Sequence, residues 1–476
     1  MLVPNPKQEV VIQDLLAGKH QGGALIGARV GAGKTLVVVE YIKRLATPKL
    51  VVLLIAPLNT RLGWKRTFEG QGVTLPFVNL NTEEASNFDL LLAGEPGIYF
   101  VGPEFVVAAK RATKTRPAWD WRKVNKHLDI AVYDEVHGIK SRNIPRTKTV
   151  RQIKPKMIRL GLSGTPFGNT FDGAWSVTKW LWPDTVMNSF WLWAAEWTKR
   201  EELFFGAKKI TKIVGEKDPG EYVKSLPAYY YWGPDLDTEL LPPKVLYVEL
   251  TKTQQKMYVK MEDDLIAWID DNPLIARLPV EKYARLRQIT LAVPTITGYV
   301  TKVNKKGVPY EAAVVIFKDN AASPKIEALK EFLVDHEGTA LILTDSRIFA
   351  KIVAARIGAD LWDGDVSAKE RQAVKERFMS GETQYLVATP QSMGTGTDGL
   401  QANCNTVVWL SKTTSGIVNE QSEGRLHRMG QTKDVAVVEI RAVGTEDDPD
   451  NSRLNQRMIA RAETMGVDTV IVDEIG

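Results

Sequence analysis

Short runs of consecutive apolar residues recur along this chain, separated by stretches whose apolar positions return every three or four residues. The first half carries "LVVLLIAP" (50–57), "GIYFVG" (97–102), "DIAVYDE" (129–135) and "MIRLGLSG" (157–164). The second half carries "TALILTDS" (339–346), "QYLVATP" (384–390), "NTVVWLS" (405–411) and "VAVVEI" (435–440). Runs this short, rich in Val, Ile and Leu and without alternation, predict strands covered on both faces, as in a parallel sheet. The segment "AKERQAVKERFMSG" (368–381) has helical spacing and ends on Gly381, a predicted C-cap. Strand–helix–strand order in each half predicts two α/β domains, over 1–240 and 241–476.

Between the halves the pattern changes. Trp175, Trp180, Trp182, Trp191, Trp193, Trp197, Trp232 and the run "YYYW" fall within one stretch. Aromatics at helical spacing form core far more often than they stack on bases, so 175–235 is expected to be a helical elaboration of the first domain. An insertion over about 250–320 is expected in the second domain, with a helix in 250–270 and an exposed basic hairpin at "TKVNKKGVPY" (301–310).

Composition narrows the classes. A chain of 476 residues, 44% apolar and 25% charged, is a globular protein of two or three domains. No apolar run reaches the roughly 18–20 residues that a membrane helix needs, and "MLVPNPKQEV" does not read as a signal peptide. One cysteine, Cys404, allows no internal disulfide and fits a reducing compartment, a bacterial or host cytoplasm or a nucleus. With five scattered histidines it also speaks against structural zinc. The net charge of +5 permits a polyanionic partner without demanding one. The basic stretches at 110–126 and 139–156 read, on charge alone, as solvated faces.

The candidate chemistry begins at "ARVGAGKT" (28–35), which follows an apolar run and opens a helical segment. Gly31 and Gly33 let successive N–H groups point at phosphate oxygens, Lys34 supplies charge to the β- and γ-phosphates, and Thr35 offers a hydroxyl to Mg²⁺. Asp134 and Glu135 end an apolar run, at the strand edge where α/β sheets bind ligands. One carboxylate can hold the Mg²⁺ shell while the other orients or deprotonates water. Arg425 and Arg428, three apart and expected on one helix face with Gln421 a turn before, can stabilise charge in the transition state. A nucleotide bound between the halves would draw them together, and hydrolysis would release them.

With these pieces in place the chain resembles the Snf2 family of superfamily 2 nucleic-acid motors, from about residue 2 to about 440. "PKQ" is similar to the Q motif, "ARVGAGKT" to motif I, and "LLIAPLNTRLGWKRTF" to motif Ia with Trp64. "DEVH" resembles motif II, "GLSGTPFGN" motif III, "ALILTDS" motif IV, "SMGTGTDGLQ" motif V, and "QSEGRLHRMGQ" motif VI. More particular to the family are "GIKSRNIPRTK" after the box, "LPPKVLYVELTKTQQKMY", and "HRMGQ". The resemblance implies two RecA-like parallel-sheet domains in tandem with helical insertions between them. It implies that Gln8 reads adenine, that Asp134 partners Mg²⁺, that Glu135 is the catalytic base, and that Arg425 and Arg428 are arginine fingers. Contacts to DNA are expected from Lys140, Arg142, Ser163, Thr165 and Thr344. Motif V departs from the usual pattern at "TDGLQ", and "YYYWGPDLDTE" stands where family members often carry an arginine pair.

The expected function is ATP- and Mg²⁺-dependent translocation on double-stranded or branched DNA without sequence preference, by a bare monomeric motor. A strand-separating or annealing helicase is the nearest alternative, with the 301–310 hairpin as a candidate pin. A DNA-binding scaffold without turnover is more distant, and an RNA helicase is disfavoured by the segments after the box and at "HRMGQ".

Overall fold

A computed structural model describes residues 1–447 except 30, 46, 82–84, 114–117, 168–170, 206–207, 234–235, 265, 270–271, 276–278, 304–308, 395–398 and 414. The chain divides into two compact units, Met1–Asp235 and Leu236–Gly476, against an expected border at 240–241.

The first unit is built on strands β1 (Gly23–Ile26), β2 (Val51–Ile55), β3 (Phe77–Asn79), β4 (Gly97–Val101), β5 (Ile130–Asp134) and β6 (Ile158–Leu162). An antiparallel pair, β7 (Thr198–Phe205) and β8 (Lys208–Glu216), precedes β9 (Tyr229–Tyr230), which returns to the sheet. The sheet order is β3-β4-β2-β5-β6-β1-β9, and every pairing is parallel. Every residue of β2 and β4 is buried, which is why those runs show no polar alternation. Burying one Val, Leu or Ile side chain is worth ~1.5–3 kcal/mol. Helix α1 (Pro6–Leu16) starts with a capping box: Asn5 Oδ1 accepts from the Gln8 amide and Gln8 Oε1 from the Asn5 amide, both at 2.9 Å. Helix α2 (Lys34–Arg44) starts directly after Gly33.

The aromatic stretch is only partly helical. Helices span Gly173–Leu181 and Phe190–Trp197, but β7, β8 and β9 fill much of the remainder. Trp175, Trp180, Trp182, Trp193 and Trp232 are buried, as core aromatics should be, whereas Trp191 stands exposed.

The second unit opens with β10 (Lys244–Val248). Two antiparallel pairs follow, β11 (Ile266–Ile269) with β12 (Asn272–Ile275), and β13 (Thr295–Val303) with β14 (Pro309–Ile316). The tip of the expected basic hairpin lies outside the described residues. The main strands are β15 (Thr339–Leu343), β16 (Asp360–Trp362), β17 (Tyr385–Ala388), β18 (Cys404–Trp409) and β19 (Ala436–Ala442). Their order is β10-β19-β18-β15-β17-β16, again all parallel. Along β15 the side chains divide between two clusters, Ala340 and Ile342 in one and Leu341 and Leu343 in the other. Both faces of this strand are therefore covered. Gly381 caps Ala368–Ser380 with φ 78°, a left-handed conformation suited to glycine. These two parallel sheets with flanking helices are tandem RecA-like domains. No helix among the described residues is long and apolar enough to cross a membrane.

Candidate nucleotide site and its surroundings

The order of strands places the site. β6 lies between β1 and β5. Sheet spacing then puts the loop after β1 and the carboxylates at the end of β5 about 10 Å apart. Gly31 and Gly33 take left-handed φ of 79° and 77°, the curl a phosphate cradle needs. Lys34 Nζ folds onto the loop's own carbonyls, Ala28 O at 2.7 Å and Arg29 O at 3.1 Å. Thr35 is the second residue of α2, in its first turn.

Gln8 sits against this loop, almost wholly buried. Its Nε2 donates to Ala32 O at 3.1 Å, while its Oε1 closes the capping box. The amide thus supports the loop backbone, a role that the resemblance did not supply.

Asp134 is the last residue of β5, and Glu135 follows it with φ 56°, one of two non-glycine residues with positive φ among those described. Such backbone strain is characteristic of functional positions. Asp134 Oδ1 accepts from the Glu135 amide at 3.0 Å, and Oδ2 accepts from Trp64 Nε1 at 3.1 Å. Burial and the neighbouring Glu135 charge push the Asp134 carboxyl up to about 6. Burial acts on Glu135 too, but hydrogen bonds from His137 and Ser163 and the charges of His137 and Lys34 hold its carboxyl below the usual range. Environments that push two carboxyls apart suit them to different tasks.

The oxygen donors of Asp134 and Thr35 fit Mg²⁺, which takes one or two carboxylates together with phosphates. A dication there would relieve the repulsion that raises Asp134. Among the described residues no group of three or more His, Cys, Asp or Glu forms a richer metal site.

Ser163, expected to contact DNA, lies one residue beyond β6 and is buried. Its Oγ lies 3.3 Å from Glu135 Oε2 and 2.9 Å from His137 Nδ1, and accepts from the Thr165 amide at 3.1 Å. The strand order explains this, since β6 ends beside β5 and directs Ser163 at the carboxylates. Thr165 is half-buried, with its hydroxyl shut from solvent. Arg142 is drawn inward as well. Its guanidinium lies 3.4 Å from the centre of the Phe190 ring, a cation–π contact that holds it against the helix Phe190–Trp197. Lys140 remains partly exposed.

In the second unit Thr344, expected to contact DNA, is buried, with its hydroxyl 2.9 Å from Ser411 Oγ. The chain beyond β15 turns it inward and leaves its neighbours to line a cavity of about 450 Å³ at the C-terminal edge of the sheet. Asp345, Arg347, Gly364, Arg371, Thr389 and Gln391 line it. The sequence reading missed Arg347 and Arg371. Gln421 lies on the helix Gly416–Glu423, but Arg425 and Arg428 do not share a helix face. Gly424 ends that helix, and both arginines lie in the turns that follow, around buried Leu426. His427 Nε2 lies 2.9 Å from Thr238 O. Residues 395–398 of motif V lie outside the described residues.

Residues 1–168 match the family of the type III restriction enzyme res subunit, and 324–430 match the helicase conserved C-terminal domain. The chain is 24% identical over 435 residues to an uncharacterised ATP-dependent helicase of Mycoplasma genitalium, covering 90% of this chain and 38% of that one. It is 23% identical over 475 residues to the Arabidopsis thaliana protein chromatin remodeling 24, covering 90% and 43%. To the Homo sapiens SWI/SNF-related matrix-associated actin-dependent regulator of chromatin subfamily A member 1 it is 22% identical over 472 residues, covering 94% and 42%. The chain spans about two fifths of the length of these curated relatives. A solved structure titled as the Sulfolobus solfataricus SWI2/SNF2 ATPase core in complex with dsDNA is similar at TM-score 0.40 and 17% identity, over 97% of this chain and 92% of that one. With a match to each of these domain families and relatives along most of its length, the chain is similar to helicase-like ATPases of the Snf2 type.

Proposed function

We propose that the chain is an ATP-hydrolysing motor that moves along double-stranded DNA and so remodels DNA structures or protein–DNA complexes. The observation that carries this reading is the set of contacts around Glu135: a carboxylate touching His137 and Ser163, in a strained backbone, beside a phosphate loop. In this reading Gln8 braces the phosphate loop, Lys34 neutralises the phosphates, and Glu135 takes the proton of the attacking water. Mg²⁺, held by Asp134 and Thr35, would supply charge neutralisation at the phosphates. Arg425 and Arg428 are assigned the charge that develops in the transition state, and Gln421 a place beside them. Ser163 carries a change at Glu135 into the Ser163–Pro166 turn.

DNA would be gripped through its phosphates by Lys140 and its basic neighbours and, in the second unit, by Arg347 and Arg371 of the cavity. Such contacts tolerate any sequence and weaken with salt. The relatives' names, chromatin-remodelling proteins and an ATP-dependent helicase, are in keeping with this reading. A strand-separating motor is the second reading, favoured by the β13–β14 hairpin, a two-stranded sheet separate from the main one.

The test is ATP turnover without nucleic acid and with single-stranded DNA, plain duplex, a fork, and RNA, at two salt concentrations. Stimulation by plain duplex that is lost at high salt supports translocation. Preference for forks or single strands moves the function to the second reading. Turnover that survives Lys34→Ala or Glu135→Gln would mean that the site is elsewhere.

A further inference from the structure

The carbonyl of Ala32, inside the phosphate loop, accepts two side-chain hydrogen bonds. Gln8 Nε2 donates at 3.1 Å and Trp232 Nε1 at 3.0 Å, from positions 24 residues before and 200 residues after it. Both donors are buried. A phosphate loop works by turning N–H groups toward the anion, which leaves carbonyls facing away. A carbonyl shut from water in that position must be paired or it carries the full cost of desolvation.

The backbone around Trp232 extends the same attachment. Leu25 N donates to Ala228 O at 2.9 Å, Gly27 N to Tyr230 O at 2.7 Å, and Arg29 N to Trp232 O at 2.9 Å. The edge strand therefore continues past β1 and runs beside the first residues of the loop. Gly27 makes room for it, since a Cβ there would meet the Tyr229 ring at 2.8 Å. On the other side, a Cβ on Gly33 would meet Gln8 Nε2 at 2.2 Å. The loop is gripped closely on both flanks.

We propose that Trp232 is a positioning residue for the phosphate loop: it holds the Ala32 carbonyl turned away from the phosphates and makes the loop answer to the connector between the two units. The chain passes from Trp232 to Leu236, where the second unit begins, within a single short segment. A pull on that segment reaches the loop first at Trp232, through its carbonyl on Arg29 N and its indole on Ala32 O. Loosening Trp232 leaves Gln8 to hold the carbonyl, so the nucleotide grip weakens in a graded way. This inference rests on the reading of the loop as the ATP site.

The experiment measures ATP affinity by calorimetry for the wild-type chain, Trp232→Phe, Gln8→Leu and the double variant, with thermal unfolding as the control for folding. Phenylalanine keeps the buried ring and removes the N–H. Loss of one donor should weaken ATP binding about three- to tenfold. The double variant should lose more than the product of the two single losses, because only then is the carbonyl left without either donor. A merely structural tryptophan would give independent, multiplicative losses, and that result, or wild-type affinity in Trp232→Phe, overturns the proposal. A wild-type chain that binds no ATP overturns the reading of the site and this inference with it. A short Gly-Ser insertion after Gly233 tests the connector. It should leave ATP affinity intact and abolish DNA stimulation of turnover; unchanged stimulation overturns the coupling.

Discussion

Trp64 donates its indole N–H to Asp134 Oδ2 at 3.1 Å, joining the helix Arg61–Gly70 to the end of β5. The ring is buried and stacks on Phe68 with centroids 5.9 Å apart, so its orientation is set by packing as well as by the bond. A tryptophan within motif Ia thus orients the carboxylate proposed to hold Mg²⁺. The Glu135 amide also donates to that carboxylate, at its other oxygen.

Trp64→Phe keeps the stacking and removes the donor. Partners that orient a metal-binding carboxylate are worth ~10–100-fold in metal affinity. The Mg²⁺ dependence of ATP binding, followed with Mn²⁺ as a paramagnetic probe, should weaken to that extent while metal-free nucleotide affinity holds. Unaltered metal affinity would mean that the indole only packs.

Arg142 and its neighbours should behave differently from one another. Because its guanidinium lies over Phe190, Arg142→Ala should cost ~1–2 kcal/mol of stability in denaturant unfolding, through lost packing and cation–π attraction. Its effect on the salt dependence of DNA binding should be small. Lys148, exposed on the helix Pro145–Val150, should show the reverse: Lys148→Ala lowers the salt slope by about one and leaves stability unchanged. An exchange of the two phenotypes would return Arg142 to the DNA contacts.

Glu439, buried on β19, is paired with Lys412 at 2.7 Å and with Arg441 at 2.6 Å. Burial alone would raise its carboxyl, but hydrogen bonds and charge from the two cations win and hold it below the usual range. A carboxyl lowered in the folded state contributes stability that is fully present above its unfolded value, about 4.3. That contribution is lost as pH falls through the lower folded value. The midpoint of thermal unfolding of the wild-type chain should therefore fall with pH below about 4.3, and more steeply than in Glu439→Gln. Parallel pH profiles would show that the pair adds nothing.

Much of the site was legible before any coordinate. Gly31, Gly33, Lys34, Thr35, Asp134 and Glu135 are adjacent in the chain to the elements that place them, a strand end or a helix start, so local pattern suffices to locate them. The roles of Ser163, Thr344 and Arg142 were not legible in the same way. Whether a side chain at a strand end faces solvent or a neighbour depends on which strand lies beside it, and β6 beside β5 turns Ser163 toward Glu135. Arg142 met Phe190, a partner 48 positions away in the sequence, that charge patterning does not reveal. Arg425 and Arg428 left the predicted helix because Gly424 ends it.

By itself the sequence determined the two parallel sheets, because residues buried on both faces must be apolar without alternation, and it determined the phosphate loop, because left-handed turns select glycine. Tertiary structure alone decided that Tyr229–Tyr230 of "YYYW" form a strand beside β1 and that Trp64 and Trp232 reach Asp134 and Ala32. An aromatic run is compatible with helix core or sheet edge alike. An indole N–H, moreover, finds its acceptor only after distant segments have packed, when burial forces each polar group to take the partner within reach.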